Sequence, residues 1–320
     1  MAISRYSRLI TLPEIGEEGN RKLREKKVAI IGLGALGTVA SELLIRMGIG
    51  NLLLIDRDIV EESNLTRQNL FYEEDLGRSK VFAAKEKLSR INSQCLVSIR
   101  AIDLNFENIS FLKEADLILD CTDNLQTRFL INDYCRKEKI RWIFASAIKT
   151  SGYVLPILPE GPCLNCLFKE KNSLETCETA GVINTITQSI ASIQATLAIK
   201  LLLGEKVEPK LIYYDIWKAE MRKMALNKRK DCFSCNSNYP YLKNEGWTLL
   251  KFCGSNKYQI TGPKKDMLKM EENWNKIGQT IKEEHSLAIN NLTLFDDGRV
   301  LIQAGSEDEA KAAYSKYIEN

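Results

Sequence analysis

Two pairs of cysteines, Cys163-Leu164-Asn165-Cys166 and Cys232-Phe233-Ser234-Cys235, stand out among the nine cysteines of this 320-residue chain. Each pair has the spacing at which a tight turn aims two thiolates at one ion, and four thiolates suit a closed tetrahedral zinc site. The stretch between the pairs is longer than in a zinc ribbon, so two separate redox pairs remain the alternative on spacing alone. A metal here would staple the base of a long loop to the end of a domain. Cys95, Cys121 and Cys135 lie in or at the edge of expected strand or helix segments and read as small core residues.

A second set of residues points to a nucleotide. Gly32-Leu33-Gly34-Ala35-Leu36-Gly37 follows the apolar run Lys27 to Ile31 and opens a helical pattern, so its amides and the positive helix end can hold phosphate oxygens. Asp56 ends the next apolar run, where an acidic side chain reaches ribose hydroxyls. These two features alone fit a nicotinamide-dependent oxidoreductase equally well. The stretch DRDIVEESNLTRQ, Asp56 to Gln68, followed by Lys80, separates the two readings. Asn64, Arg67 and Lys80 supply the polar and cationic donors that a triphosphate needs as its charge redistributes, and a dehydrogenase has no such need. The single histidine, His285, lies far from these motifs, which excludes a Ser-His-Asp triad and a histidine-rich metal centre.

The elements that would position these groups alternate along the chain. Strands are expected at 27–31, 51–55, 96–100, 116–120 and 141–146, and helices at 35–47, 79–91 and 125–137, the signature of a Rossmann-like, doubly wound, mostly parallel α/β sheet. Residues 184–203 carry an apolar stripe at 186, 190, 193, 197, 201 and 202 that predicts a buried helix ending at Gly204. Residues 159–183 between them read as a long functional loop. From 243 the pattern changes to a small α+β domain, 243–320: strands at WTLLKFC and KYQI, a helix introduced by Gly262 and Pro263, a hairpin turning at Asp296, Asp297 and Gly298, and a last helix opened by Ser306 and Glu309. No chemistry attaches to this second domain; Cys253 and His285 read as structural. The first domain, 1–242, carries the glycine loop, the charged stretch and both cysteine pairs.

On these motifs the chain resembles the ThiF/MoeB/HesA family of ubiquitin-activating-type adenylyltransferases. The resemblance runs from Arg5 to Cys235, about 70% of the chain, through RYSRLI, GLGALG, NLLLIDRDIVEESNLTRQ, DCTDN, TCETAGV and both cysteine pairs. It implies that Gly34 and its loop contact ATP, that Asp56 holds the ribose, that Asn64, Arg67 and Lys80 hold the phosphates, and that Gln68 belongs to the same nucleotide site. It further implies that Asp123 coordinates magnesium, that the four paired cysteines bind structural zinc, and that Arg8 reaches into the partner subunit of a homodimer as an arginine finger. Cys177 occupies the position at which some members form a thioester or a persulfide-type link with the activated carrier; others carry the residue without needing it. Independently of the resemblance, Asp123 follows an expected strand at the carboxyl edge of the sheet, where ligands of open α/β sheets bind, and magnesium prefers one or two carboxylates plus phosphate oxygens.

The implied substrate is a small ubiquitin-like or sulfur-carrier protein of the MoaD/ThiS type ending in Gly-Gly. Its terminal carboxylate, with a pKa of about 3.5, is already an anion at neutral pH and needs no base to attack the α-phosphate. No sulfurtransferase domain is recognisable, so any sulfur donor would be a separate protein. The 45 basic and 42 acidic residues are too balanced for a nucleic-acid footprint. No signal-peptide core or membrane span is expected, and a cytoplasmic location is the expectation. A non-catalytic, carrier-binding scaffold is the remaining rival, and intact Arg8, Arg67, Lys80 and Asp123 speak against it.

Overall fold

The computed structural model describes residues 5–168, 180–243, 250–251, 257–262, 264–283 and 285–319. The chain forms two compact units, Met1–Lys243 and Asn244–Asn320.

The first unit opens with α1 (Ser7–Ile10) and α2 (Gly16–Arg24), then alternates β1 (Lys27–Ile31), α3 (Ala35–Met47), β2 (Asn51–Ile55), α4 (Lys80–Ile91), β3 (Leu96–Arg100), β4 (Leu117–Asp120), α5 (Leu125–Glu138) and β5 (Trp142–Ile148). It continues through β6 (Ser151–Ile157), α6 (Leu164–Leu167), α7 (Asn184–Leu203), β7 (Lys210–Asp215) and β8 (Glu220–Ala225). The sheet order is β3-β2-β1-β4-β5-β6-β7-β8, parallel from β3 to β5 and antiparallel from β5 to β8. Sequence patterning anticipates the parallel half; it does not disclose the antiparallel extension, in which the β6–β7 connection carries α6 and α7.

Helices cover both faces of β1, β2 and β4, and this is why those strands read as unbroken apolar runs, whereas the edge strand β3 buries only part of one face. In β1, Val28 and Ile30 join the core shared with α3, α4 and α7, while Ala29 and Ile31 join the core shared with α5. After β1 the chain builds outward through β2 and β3, then crosses back to place β4 on the other side of β1. The crevice at the carboxyl ends of β1 and β4 is therefore the topological switch point, where ligands of open α/β sheets bind.

α7 is long and apolar enough by length and composition to cross a membrane, but here it packs on α3, β5 and β6. Its buried face runs through Ile186, Ile190, Gln194 and Ala198, while Ile193 and Leu197 are only partly covered. The expected stripe is thus rotated slightly, because a polar residue at 194 holds the centre of the face. Within 159–183, α6 is a single helical turn, and residues 169–179 lie outside the described residues.

The second unit is an antiparallel sheet, order β11-β12-β13-β14-β10-β9, built from β9 (Leu250–Lys251), β10 (Lys257–Thr261), β11 (Thr280–Lys282), β12 (Ser286–Ile289), β13 (Leu292–Phe295) and β14 (Arg299–Gln303). Two helices, α8 (Met267–Trp274) and α9 (Glu307–Tyr314), contribute Met270, Trp274, Ala310 and Tyr314 to its core. The helix expected after Gly262 and Pro263 begins only at Met267, where Asp266 caps the amides of Leu268 and Lys269. The hairpin turns at 296–298 with Gly298 at φ +92°, and Ser306 caps α9 through the Glu309 amide. His285 pairs with Asp296 across the ends of β12 and β13, a structural contact; Cys253 lies outside the described residues.

Candidate active site

The glycine loop is shaped by two different demands. Gly32 has φ +90°, and a Cβ there would lie 2.6 Å from the Cys121 carbonyl oxygen; at Gly37 a Cβ would lie 1.9 Å from the Gly32 carbonyl oxygen. These two glycines let β1, the start of α3 and the end of β4 close on one another. Gly34 caps α3, and a Cβ there would meet only Gln68 Nε2, at 4.0 Å. Internal packing does not require glycine at 34, so its bare side faces open space beside the helix N-terminus. Gln68 is 3% exposed, and its Oε1 has no hydrogen-bond partner among the described residues. An unsatisfied buried amide next to an open glycine and a helix N-terminus fits a polar, anionic ligand.

Asp56 turns its carboxylate inward. Leu33 N–H donates to Oδ2 at 2.5 Å and Asp58 N–H donates to Oδ1 at 2.7 Å, so Asp56 ties β2 to the glycine loop. Burial pushes its carboxyl up, with Lys80 pulling it back. Lys80 opens α4 with its side chain 8% exposed and its Nζ 3.4 Å from Asp58 Oδ2. Burial would lower this ammonium, but Asp58, Asp56 and Asp123 outweigh it and hold the lysine above its ordinary value. Arg57 donates from Nη1 to Asp103 Oδ1 at 2.8 Å; burial opposes its charge, and Asp103, Asp58 and Asp123 restore it.

Asp123 itself is exposed on the turn between β4 and α5, near enough to act on both Lys80 and Arg57. Behind it, Asp120 is fully buried and accepts from Thr122 N–H (2.9 Å) and Oγ1 (2.7 Å), a structural strand-end residue. Arg128 Nη2 donates to the Thr122 carbonyl at 2.5 Å. Asn64 is buried and caps its own 3-10 turn, accepting from Glu61 N–H at 3.2 Å, while Arg67 donates to the Ser63 carbonyl.

Arg8 is not brought to this group. α1 is anchored by Tyr6, whose ring lies against Gly48 at the end of α3 and whose hydroxyl accepts from Asn92 at the end of α4. Gly34 and Lys80 sit at the opposite ends of the same helices, roughly 20 Å away for a helix of this length. Cys177 lies outside the described residues. Sequence reasoning does not single out Asp58, Arg57 or Asp103. The alternating charges of Asp56-Arg57-Asp58 carry a signal for the first two, but none names the partner, Asp103.

The four paired cysteines converge. Their sulfurs lie 3.9 Å (163 to 166), 3.5 Å (163 to 232), 3.6 Å (166 to 235) and 3.6 Å (163 to 235) apart, all within 4.8 Å. A tetrahedron with metal–sulfur bonds of about 2.3 Å has edges of about 3.8 Å, whereas a disulfide needs about 2.05 Å. The donor set therefore fits zinc. Burial pushes the Cys163 thiol far up and Cys232 to about 11, while burial at Cys166 is outweighed by hydrogen bonds, the Arg229 amide first among them, that pull that thiol down; a bound cation would ionise the rest of the set. α5 braces both knuckles: Asn132 Oδ1 accepts from Leu164 N–H at 2.8 Å, and Asp133 accepts from Ser234 Oγ and from Tyr241 N–H at 3.2 Å.

Comparison with known proteins accords with this geometry. Residues 6–235 match the ThiF family. The chain belongs to that family. It is 36% identical over 98% of its length to "Sulfur carrier protein ThiS adenylyltransferase" of Bacillus subtilis, covering 99% of that protein. It is 33% identical over 73% of its length to "SAMP-activating enzyme E1" of Haloferax volcanii, covering 88% of that protein. Among solved structures, E. coli MccB with ATP superposes with a TM-score of 0.63 at 25% identity, over 72% of this ThiF-family chain and 73% of MccB. The Bacillus subtilis relative matches the ThiF-family domain and the second unit together.

Proposed function

We propose that this chain is an adenylyltransferase that activates the C-terminal glycine carboxylate of a small ubiquitin-like or sulfur-carrier protein, in the cytoplasm, as a homodimer. The observation that carries the reading is the gathering of Lys80, Arg57, Asp58 and Asp123 at the carboxyl edge of the sheet, beside the open side of Gly34. The names of the Bacillus subtilis and Haloferax volcanii relatives, and the ATP bound by MccB, supply the substrate classes.

In this reading the amides of the glycine loop and the start of α3 hold the phosphates together with Asn64, Arg67, Gln68 and Lys80. Asp56, already fixed to the loop, offers its remaining lone pairs to the ribose. Asp123 would hold magnesium, which spreads the triphosphate's charge. The carrier's carboxylate oxygen attacks the α-phosphorus, the bond to the bridging oxygen breaks, and pyrophosphate leaves with the electron pair. No proton moves at the attacking atom, so the chain needs no histidine base; positioning and charge neutralisation carry the rate. Arg8 of a second copy would complete the charge around the phosphates. The four cysteines would hold zinc and fix the exit from the domain. Cys177 is the candidate nucleophile for a second step, in which its thiolate displaces AMP to form a thioester, with any sulfur supplied by a separate donor.

ATP–pyrophosphate exchange with a carrier ending in Gly-Gly tests the first step. Exchange that appears only with the carrier and disappears when its last glycine is removed supports the reading; NADH binding without ATP binding would replace it with the oxidoreductase. For Cys177, an unchanged thiol-labile carrier adduct in Cys177→Ala removes the residue from the mechanism.

A further inference from the structure

Gln194 sits fully buried in the middle of α7, on the face where Ile186, Ile190 and Ala198 pack against the sheet. Burying a carboxamide is costly unless every polar atom is satisfied, and an apolar side chain of similar volume would fill the same space without that cost. Here every polar atom has a partner. Nε2 donates to the Asp120 carbonyl at 2.9 Å and to the Ile143 carbonyl at 3.0 Å, while Oε1 accepts from the Cys121 thiol at 3.4 Å. The side chain therefore reaches from the helix into the seam between β4 and β5, at the last residue of β4.

Immediately after that residue comes the turn bearing Asp123. Cys121 N–H donates to the Ile31 carbonyl at 2.8 Å, and the Cys121 carbonyl oxygen occupies the space left by the missing Cβ of Gly32. Thr122 is then tied back to Asp120, and its carbonyl is held by Arg128. One carboxamide thus fixes the point from which the Asp123 turn departs, and fixes it against the glycine loop.

We infer that Gln194 is a positioning residue for the nucleotide site, setting the distance between the Asp123 carboxylate and phosphates seated at Gly34. The inference rests on the adenylation reading, because that distance matters only if a metal bridges the two. Gln194→Met keeps the volume and removes both donors. In a Mn2+ titration followed by electron paramagnetic resonance, with a non-hydrolysable ATP analogue present, this variant should bind the ion about tenfold more weakly than wild type, the usual cost of losing support behind a metal ligand. AMP, which needs no metal bridge, should bind both proteins within about twofold, since the glycine loop and Asp56 keep their own contacts.

Should Gln194→Met fail to fold, Gln194→Glu carries the same comparison, because a carboxyl of equal size supplies at most one of the two bonds. An unchanged ion affinity overturns the inference, and so does an equal loss for ion and AMP, which would mark a general loosening. Wild-type protein that binds no Mn2+ with the analogue overturns the adenylation reading, and this inference with it.

Discussion

Lys80 Nζ stands 3.4 Å from Asp58 Oδ2 with 8% of the lysine side chain exposed, at the positive end of α4. Both burial and the helix dipole oppose a cation there, so the carboxylates of Asp58, Asp56 and Asp123 are what keep it charged. A cation held against such opposition is set for an anion richer in charge than any one carboxylate. Lys80→Met should lower the rate of carrier-dependent ATP–pyrophosphate exchange by about 10² to 10³, the usual loss when one preorganised donor is removed from a developing charge. A change below about threefold would take Lys80 away from the triphosphate.

The glycines of the first loop separate by the same logic. Gly34→Ala places its methyl group in open space 4.0 Å from Gln68 Nε2, whereas Gly32→Ala is strained at φ +90° and collides with the Cys121 carbonyl. Gly34→Ala should therefore melt within a few degrees of wild type yet bind ATP at least about tenfold more weakly, because the methyl group stands where a phosphate must approach the backbone. Gly32→Ala should lose several kcal/mol, on the order of 3, and fold poorly if at all. Thermal melts and nucleotide titration of the two variants decide it; equal melting temperatures would contradict the packing argument.

The cysteine cluster predicts a stoichiometry and a stability. Sulfur spacings of 3.5 to 3.9 Å fit one tetrahedral ion, so purified protein should carry one zinc per chain by elemental analysis. Cys232→Ser should lose the metal and lower the melting temperature by roughly 10 °C, as expected for a loss of several kcal/mol in a domain of this size. Metal-free wild type with an unchanged melt would return the two pairs to the redox alternative.

Asp133 offers a pH dependence. Burial raises its carboxyl to about 6, against hydrogen bonds from Ser234, Tyr241 and Asn132 that favour the charged form. A folded-state pKa above the unfolded one means that its contribution is fully present below about pH 4 and lost as pH rises through about 6. The full swing is about 3 kcal/mol. Asp133→Asn cannot titrate, so the stability of wild type relative to this variant should rise as pH falls from about 7 to about 5, with zinc loss common to both cancelling in the difference. A difference that stays flat across that range would show that Asp133 keeps its ordinary pKa.

Much of this framework is written locally in the sequence. β1, α3, β2 and α7 begin and end where apolar runs meet glycine or a charged residue, because a strand covered on both faces tolerates no polar residue and a helix stops at the first left-handed position, Gly48 or Gly204. The convergence of Cys163 and Cys232, and the pairs Arg57 with Asp103 and Asp133 with Ser234, join residues far apart in the chain. Such pairs depend on how strands are ordered, which no local pattern states. Gln194 lies between: its place four residues after Ile190 marks it as facing the core, but only the fold shows which carbonyls it meets.

Arg8 leads to a prediction about assembly. α1 is held at the far ends of α3 and α4 by Tyr6, Gly48 and Asn92, so the arginine cannot serve the site at the near ends of those helices in its own chain. If it acts on phosphates, it does so in a second copy, and each site of a homodimer is then built from two chains. Arg8→Ala and Lys80→Met should each be nearly inactive alone. Mixed after reversible dissociation at equal concentrations, half of the dimers would be heterodimers, and each of these has one site with both residues intact. The mixture should thus regain about a quarter of the wild-type exchange rate. No regain, in a mixture shown by mass spectrometry to have exchanged subunits, would mean that Arg8 acts within its own chain or not at all, and α1 would then have to leave the far ends of α3 and α4 when substrate binds.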